Sequence, residues 1–508
     1  MINNIPKCVS EHYEDGAYYA GKCLVRVNPN FEGEFIVKDG TVCILASAFE
    51  GCTKIGDVKL PDTIEYIGTR AFANSSVTSV KLPVGLINHN NNIEAFTFYG
   101  CDQLKTVTFG EGVTLNSINT CAFMDCSNLE GFDFTKVNTL KFMSFAGAFN
   151  PEKNVSIVLR PEQINSSDHD TTTQFPHSGI KSVEFIKNIG EYHNTIPSGC
   201  FYECTNLSSV KIGPSVKVIG PFCFDGCTSL SSDILAFNEC NVTQLCYRCL
   251  ARTSLTEITI PVTLSSFDSG VFSNNPTLKT LNWKTKATFD IPLFSFLNDV
   301  SKEGSQNIIT NYSNSSCNYS DRSANKYYVK QPEKNRNTFI TTLNLYPSQE
   351  GSVNYGAIFS FQPYLETVNI HNSENSEYGI NACMFSFCPV LSTVTFDHPE
   401  KVTAIGSLAF EFCPGLHSFP FESLTNLESI DALAFMLTSD GVGYSNKEVT
   451  NWEKDDPRRN YGLMGEIDLS KCEKLSQIDA CAFQDQFHIT SVKLPKNVNL
   501  LASVFIGC

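Results

Sequence analysis

One aromatic position recurs along almost the whole chain and constrains the fold more than any other feature. It belongs to an Ala-Phe element and falls at Phe49, Phe72, Phe98, Phe123, Phe149, Phe201, Phe224, Phe272, Phe359, Phe385, Phe410, Phe435, Phe483 and Phe505, with weaker copies at Phe175, Leu250 and Phe296. Most neighbours are 22 to 26 residues apart, a period that marks stacked repeat units. The period also settles a problem of size. A chain of 508 residues exceeds the roughly 250–300 at which one core stops growing, whereas a solenoid extends one narrow core lengthwise.

The flanks repeat with the aromatic. Apolar residues stand eight and five positions ahead of it, as in Ile64 and Ile67, Leu115 and Ile118, Val216 and Ile219, or Val402 and Ile405. Behind it comes Leu-x-x-Val-x-Leu, often closed by proline, as in Val77 to Leu82-Pro83 and Leu255 to Ile260-Pro261. The Val-x-Leu step has period two, so both apolar side chains share one face of a short strand and the residue between them faces water. Proline ends the strand because it cannot donate to a ladder. These features predict one strand per turn, stacked side by side at about 4.8 Å. About seventeen such coils would make a right-handed curved superhelix on the order of 80 Å long, with a parallel β-sheet on one face and short helical or irregular segments on the other.

Departures from the period define the expected organisation. Residues 1–41 do not fit it. Tyr18 to Val27 followed by Gly33 to Val37 reads as a β-hairpin-like cap. Repeats then occupy 42–297, a polar insertion fills 298–335, and repeats resume over 336–508 with a second insertion near 438–460. Tyr312 in the first insertion and Trp452 in the second are aromatic groups in polar company, which suits a binding loop. The chain stops at Cys508 directly after an anchor, which leaves an open coil through which copies could associate.

The motif Leu-x-x-Val-x-Leu-Pro, then Ile-x-x-Ile-Gly-x-x-Ala-Phe-x-x-Cys, seen over Val58–Phe72, Val210–Cys227 and Val394–Cys413, resembles the BspA-like (Treponema pallidum-type) leucine-rich repeat. The resemblance implies a leucine-rich-repeat solenoid and a surface protein of the adhesin kind, binding host extracellular matrix or cell-surface proteins. It therefore implies a cell-surface or secreted location. The first eight residues, Met1 to Cys8, lack the charged start and apolar run of a secretory signal, so a cytoplasmic location stays open.

Composition removes several other functions. A formal charge of −16 argues against nucleic acid, whose phosphates require a basic surface. No stretch approaches the roughly 20 apolar residues that cross a bilayer, so membrane insertion is not expected. The 21 cysteines suggest disulfides or metal until their phase is noted. Cys52, Cys101, Cys126, Cys204, Cys227, Cys388, Cys413 and Cys508 all lie three residues after the aromatic, and Cys121, Cys383 and Cys481 two before it. A residue type fixed by repeat phase is a packing choice. Cys246-x-x-Cys249, with Cys240 nearby, lacks the second ligand pair of a zinc site. Asp168-His169-Asp170 and Asp397-His398 lie in polar connections, and no nucleophile elbow, zinc-protease helix or phosphate loop accompanies them. No enzyme, cofactor or metal is expected.

The reading that remains is a non-catalytic protein-binding scaffold that uses the sheet face and the insertion loops. The residues between the apolar strand positions are its candidates: Lys59, Lys81, Thr108, Asp133, Lys211, Thr259, Thr395 and Lys493, together with Tyr312 and Trp452. The alternative is a structural component of a larger assembly, such as a virion, filament or intracellular scaffold.

Overall fold

A computed structural model describes residues 13, 15–164, 173–187, 193–236, 240–268, 270–285, 340–347, 358–360, 362, 364–437 and 461–508. It consists of two units, residues 1–254 and 255–508. Each is a β-solenoid built from parallel sheets, with very little helix.

Each regular turn contains two strands, not the single strand expected. The first is the Val-x-Leu strand. In the first unit Gly33–Ile36, Ile55–Lys59, Ser79–Leu82 and Thr106–Phe109 stack in that order, and so do Ser156–Leu159, Ser182–Phe185 and Ser209–Lys211. The second strand is mostly two residues long and ends on the isoleucine or leucine five positions before the anchor. Cys43–Ile44 with Tyr66–Ile67, and Thr195–Ile196 with Val218–Ile219 and Gln244–Leu245, pair in parallel rows of their own. A strand this short buries only one side chain inward, so it leaves no alternation in the sequence.

The second unit repeats the plan. Glu257–Ile260, Thr280–Trp283, Thr342–Leu345, Thr367–Ile370 and Thr393–Phe396 form a five-stranded sheet, and Met464–Asp468 pairs with His488–Lys493. The longer strands therefore number four, three, five and two in their sheets. Among the described residues about fourteen turns carry one, where about seventeen were expected along the whole chain. The shortfall has a physical cause in two turns, where Phe132 and Phe134, or Phe419 and Phe421, stand at the apolar positions. Their rings crowd edge-on around the anchors Phe123 and Phe145, or Phe410 and Phe435, and the chain turns through the 3-10 segments Phe134–Lys136 and Phe421–Ser423.

The repeated aromatic forms the core. Phe49, Phe72, Phe98, Phe123, Phe145, Phe175, Phe201 and Phe224 stack ring on ring at 4.5–5.6 Å with interplanar angles of 2–17°. In the second unit Phe385, Phe410, Phe435, Phe483 and Phe505 do the same at 5.3–5.5 Å. Offset stacks of this kind contribute about 0.5–1.5 kcal/mol per pair beyond the area they bury.

One anchor differs from the sequence reading. Phe145, not Phe149, occupies the column, because the backbone ladder runs through it: Phe123 N–H donates to Ser144 O at 2.8 Å and Phe145 N–H to Gln174 O at 3.0 Å. Phe149 instead donates to Cys126 O and sits at φ +72°.

The corner around each anchor explains the rest of the motif. The residue two before it is left-handed at every described turn of the first unit, from Ser47 (φ 61°) and Arg70 (φ 59°) to Phe222 (φ 54°) and Arg248 (φ 53°). A non-glycine residue there costs about 1–2 kcal/mol. The compensation is a run of alternate N–H groups aimed at the next turn. Arg70, Phe72 and Asn74 donate to Ala95, Thr97 and Tyr99 O at 3.2, 2.8 and 2.7 Å. The glycine of Ile-Gly is required by close approach: a Cβ on Gly220 would lie 2.7 Å from Ile196 O, and one on Gly68 2.6 Å from Ala46 N.

At the N-terminal end Ala17–Ala20 and Cys23–Val27 form an antiparallel hairpin. Gly33–Ile36, read above as part of that hairpin, pairs in parallel with Ile55–Lys59 and so serves as the first long strand.

Candidate functional site

Of the residues proposed from the sequence, the structure gathers three on one sheet. Lys59, Lys81 and Thr108 are exposed on the four-stranded sheet of the first unit, with Lys81 and Thr108 in register on adjacent strands. Lys59 reaches Glu34 at 2.6 Å, and this carboxylate holds its ammonium above the usual lysine range. Lys81 meets no acid among the described residues. Lys211 lies on a different sheet and pairs with its register partner Glu184 at 2.6 Å. Lys493, on the last sheet of the second unit, reaches Glu466 at 2.6 Å and Asp468 at 3.6 Å. Exposed pairs of this kind are screened by water and add little to stability, so they orient side chains more than they stabilise.

Two candidates are corrected. Asp133 is not a strand residue. It caps the 3-10 turn Phe134–Lys136, accepting from the N–H of Thr135 at 3.0 Å and from its hydroxyl at 2.5 Å. Thr259 is buried, and Asn282 of the neighbouring strand donates to its hydroxyl at 3.4 Å. Thr395 is exposed as expected and donates to Asn369 at 2.8 Å. Tyr312 and Trp452 lie outside the described residues, as do Asp168, His169 and Asp170.

Thr259 and Thr395 turn out to be the two ends of one ladder. Asn344 donates to Asn282 at 2.7 Å and Asn369 to Asn344 at 2.9 Å, so five register-matched residues form a continuous amide and hydroxyl row across the five-stranded sheet. Thr280, Thr342, Thr367 and Thr393 line the parallel row two residues earlier. The recurring Thr-x-Asn at 280–282, 342–344 and 367–369 was the signal for it. Just beyond the strands Lys284 lies 5.4 Å over the Tyr346 ring, Tyr346 stacks on His371 at 4.5 Å, and His371 Nδ1 is 3.0 Å from Asp397 Oδ2. Asp397 is thus part of a surface column. His398 is held by Glu400 at 3.3 Å.

A second cluster missed from the sequence decorates the corners of the first unit. Asp225 is almost fully buried and is held by Arg248 at 3.1 Å and Arg252 at 2.6 Å. Arg252 continues to Glu203 at 3.1 Å and to the Tyr202 hydroxyl at 3.3 Å. Its neighbours hold the Arg252 guanidinium above its ordinary range. For Glu203 burial pushes upward, but the Tyr202 and Arg252 bonds outweigh it and hold the carboxyl below its ordinary range. The residues come from successive turns at corner positions, a spacing the anchor period would have exposed.

The cysteines answer to the fold. Cys101, Cys126, Cys204, Cys227 and Cys413 each donate a thiol hydrogen bond, at 2.9–3.2 Å, to the carbonyl of the preceding turn's anchor phenylalanine. Burial pushes the Cys204 and Cys388 thiols up to about 12. Cys383 differs from its phase-mates Cys121 and Cys481 in being disulfide-bonded. Among the described residues no group of three or more His, Cys, Asp or Glu could hold a metal ion, and no helix is long and apolar enough to cross a membrane.

Comparison with known proteins matches this architecture. The model of the BspA type leucine rich repeat region fits in six copies, over residues 31–152, 194–320 and 348–440. No curated protein sequence is significantly similar to the chain. Similar solved structures include a leucine rich cell surface protein from Faecalibacterium prausnitzii, with 18% identity, 95% of this chain and 94% of that chain covered, and a TM-score of 0.22. A leucine-rich repeat protein from Eubacterium ventriosum has 16% identity, coverages of 84% and 86%, and a TM-score of 0.25. The pneumococcal vaccine antigen PcpA has 14% identity, coverages of 77% and 95%, and a TM-score of 0.28.

Proposed function

Because this chain belongs to the BspA-type leucine-rich repeat family, we propose that it is a non-catalytic scaffold that binds a protein ligand at the cell surface, as an adhesin or host-interaction protein. The observation that carries the reading is the exposed four-stranded sheet with Lys59, Lys81 and Thr108. It offers a rigid polar surface on which Lys81 has no acidic partner among the described residues. Side chains already ordered by their neighbours lose little entropy on binding, which favours a preformed protein interface. An acidic patch on the ligand would complement the lysines and steer association.

Two experiments test this. Surface labelling of intact cells places the protein outside or inside, and an inaccessible protein ends the adhesin reading. Alanine at Lys59, Lys81 and Lys211 together, assayed against a ligand captured by the wild-type chain, weakens binding at least tenfold if the sheet face is the site. Unchanged binding sends the search to the insertion loops around Tyr312 and Trp452.

The second reading, a component of a larger assembly, draws on the exposed apolar side chains of Ile36 and Val262. Light scattering over a concentration series distinguishes the two, since assembly requires growth with concentration.

A further inference from the structure

We propose that Cys23 and Cys43 are a redox pair that closes into a reversible disulfide and clamps the N-terminal hairpin onto the solenoid. The two are register partners on adjacent parallel strands, Cys23–Val27 and Cys43–Ile44. Parallel neighbours lie about 4.8 Å apart, within the span of roughly 4.4–6.8 Å that a disulfide bridges between Cα atoms. Both cysteines are half-buried, so a small oxidant reaches them.

That environment separates the pair from the repeat-phase thiols. Cys101, Cys126, Cys204 and Cys227 are fully enclosed and spend their protons on anchor carbonyls. Cys23 and Cys43 belong to neither repeat phase that holds most of the cysteines, and packing at the anchor does not account for them. Their strands join the hairpin Ala17–Ala20 and Cys23–Val27 to the first solenoid turn.

The chemistry balances with a small disulfide such as oxidised glutathione as the oxidant. Burial and the adjacent Cys23 push the Cys43 thiol up to about 11, which makes it the poorer nucleophile. Cys23 therefore attacks first as thiolate, forming a mixed disulfide and releasing one glutathione thiolate. Cys43 then loses its proton, attacks the Cys23 sulfur and displaces the second. Two protein thiols become one disulfide, the oxidant takes two electrons, and both protons end on the two glutathione thiols.

The test uses the full chain in non-denaturing buffer with oxidised glutathione, followed by alkylation and digestion with trypsin and a glutamyl endopeptidase. Cleavage after Lys22, Arg26, Lys38 and Glu50 isolates Cys23 from Cys43 and separates Cys43 from Cys52. The expected product is the peptide Cys23–Arg26 linked to Asp39–Glu50, lost on dithiothreitol treatment, with slower amide exchange over residues 17–27 in the oxidised form. The variant Cys43→Ser should stop at the mixed disulfide on Cys23. Recovery of both wild-type peptides separately alkylated or separately glutathionylated, or of Cys23 linked to any other cysteine, overturns the proposal. The wild-type result decides even if a variant fails to fold.

Discussion

Phe201→Ala is the most direct probe of the aromatic column. Phe201 is fully buried, with Phe175 stacked at 5.3 Å and 2° on one side, Phe224 at 5.5 Å and 7° on the other, and Phe185 edge-on at 6.1 Å. Truncation removes a whole ring from a site whose walls are fixed by inter-turn hydrogen bonds, including Phe201 N–H to Cys223 O at 2.9 Å. The cavity can collapse little, so a loss of about 3–5 kcal/mol is expected. Urea denaturation of the first unit, followed by amide exchange, should show that loss centred on the turns carrying Phe175 and Phe224.

The stack itself is read by double-mutant cycles. Phe175 and Phe201 touch, so their coupling should be about 0.5–1.5 kcal/mol. Phe49 and Phe201 are separated by five other rings of the column and should be additive within about 0.5 kcal/mol. Equal couplings for the two pairs, or a Phe201→Ala loss below about 1.5 kcal/mol, would refute the column as the unit of stability.

Three further outcomes follow from the corner geometry. Gly220→Ala places a Cβ 2.7 Å from Ile196 O and 2.9 Å from Ser198 N, both backbone atoms, so a destabilisation of about 1–3 kcal/mol is expected in urea titration. A change below half a kcal/mol would mean the turns can spread. Cys204 donates to Phe175 O at 3.0 Å, so Cys204→Ser should be milder than Cys204→Val, which fills the space but removes that donor and leaves Phe175 O only the N–H of Ser178 at 3.2 Å, a loss of about 0.5–1.5 kcal/mol. The reverse order would show that volume rules the site. Burial raises the Cys101, Cys204 and Cys388 thiols from 9.0 to about 12. The folded state thus holds protons that the unfolded chain releases. Stability is full below about pH 9 and falls as the pH rises toward 12. Urea midpoints measured from neutral pH upward should drop once pH 9 is passed, and a flat profile would contradict the buried thiols.

Much of the fold was legible because most of the motif consists of inward or corner positions with one physical job each. Isoleucine at Ile64 and Ile67 fills the core, glycine at Gly68 and Gly220 yields to a neighbouring turn, phenylalanine stacks, and cysteine donates to a carbonyl. What escaped is where two residues satisfied the same pattern or where pairing gives no pattern. Ala148-Phe149 and Ser144-Phe145 both resemble the anchor, and only the backbone ladder chooses between them. Two-residue strands leave no alternation. Asp133 follows the strand spacing but takes a cap, because Phe132 and Phe134 bend the chain there.

The candidate site was less legible because its residues are defined across turns. Lys59, Lys211 and Lys493 look like free cations in the sequence, yet each is matched with an acid from the preceding strand of its sheet, Glu34, Glu184 or Glu466. The Thr259 to Thr395 row is likewise closed on itself by amide bonds. A ligand on such rows must offer at least as many hydrogen bonds as it displaces, or accept the ladder as it stands and read only its outer edge. Rungs where the ladder is incomplete bind at lower cost. On the described faces the Lys81 and Thr108 rung fits that condition, whereas Lys59, Lys211 and Lys493 are already matched with acids. Ligand choice in a solenoid of this kind is therefore expected to follow the breaks in cross-turn pairing. A single Lys81→Ala change should weaken binding more than Lys211→Ala, although the two residues are equivalent in the repeat.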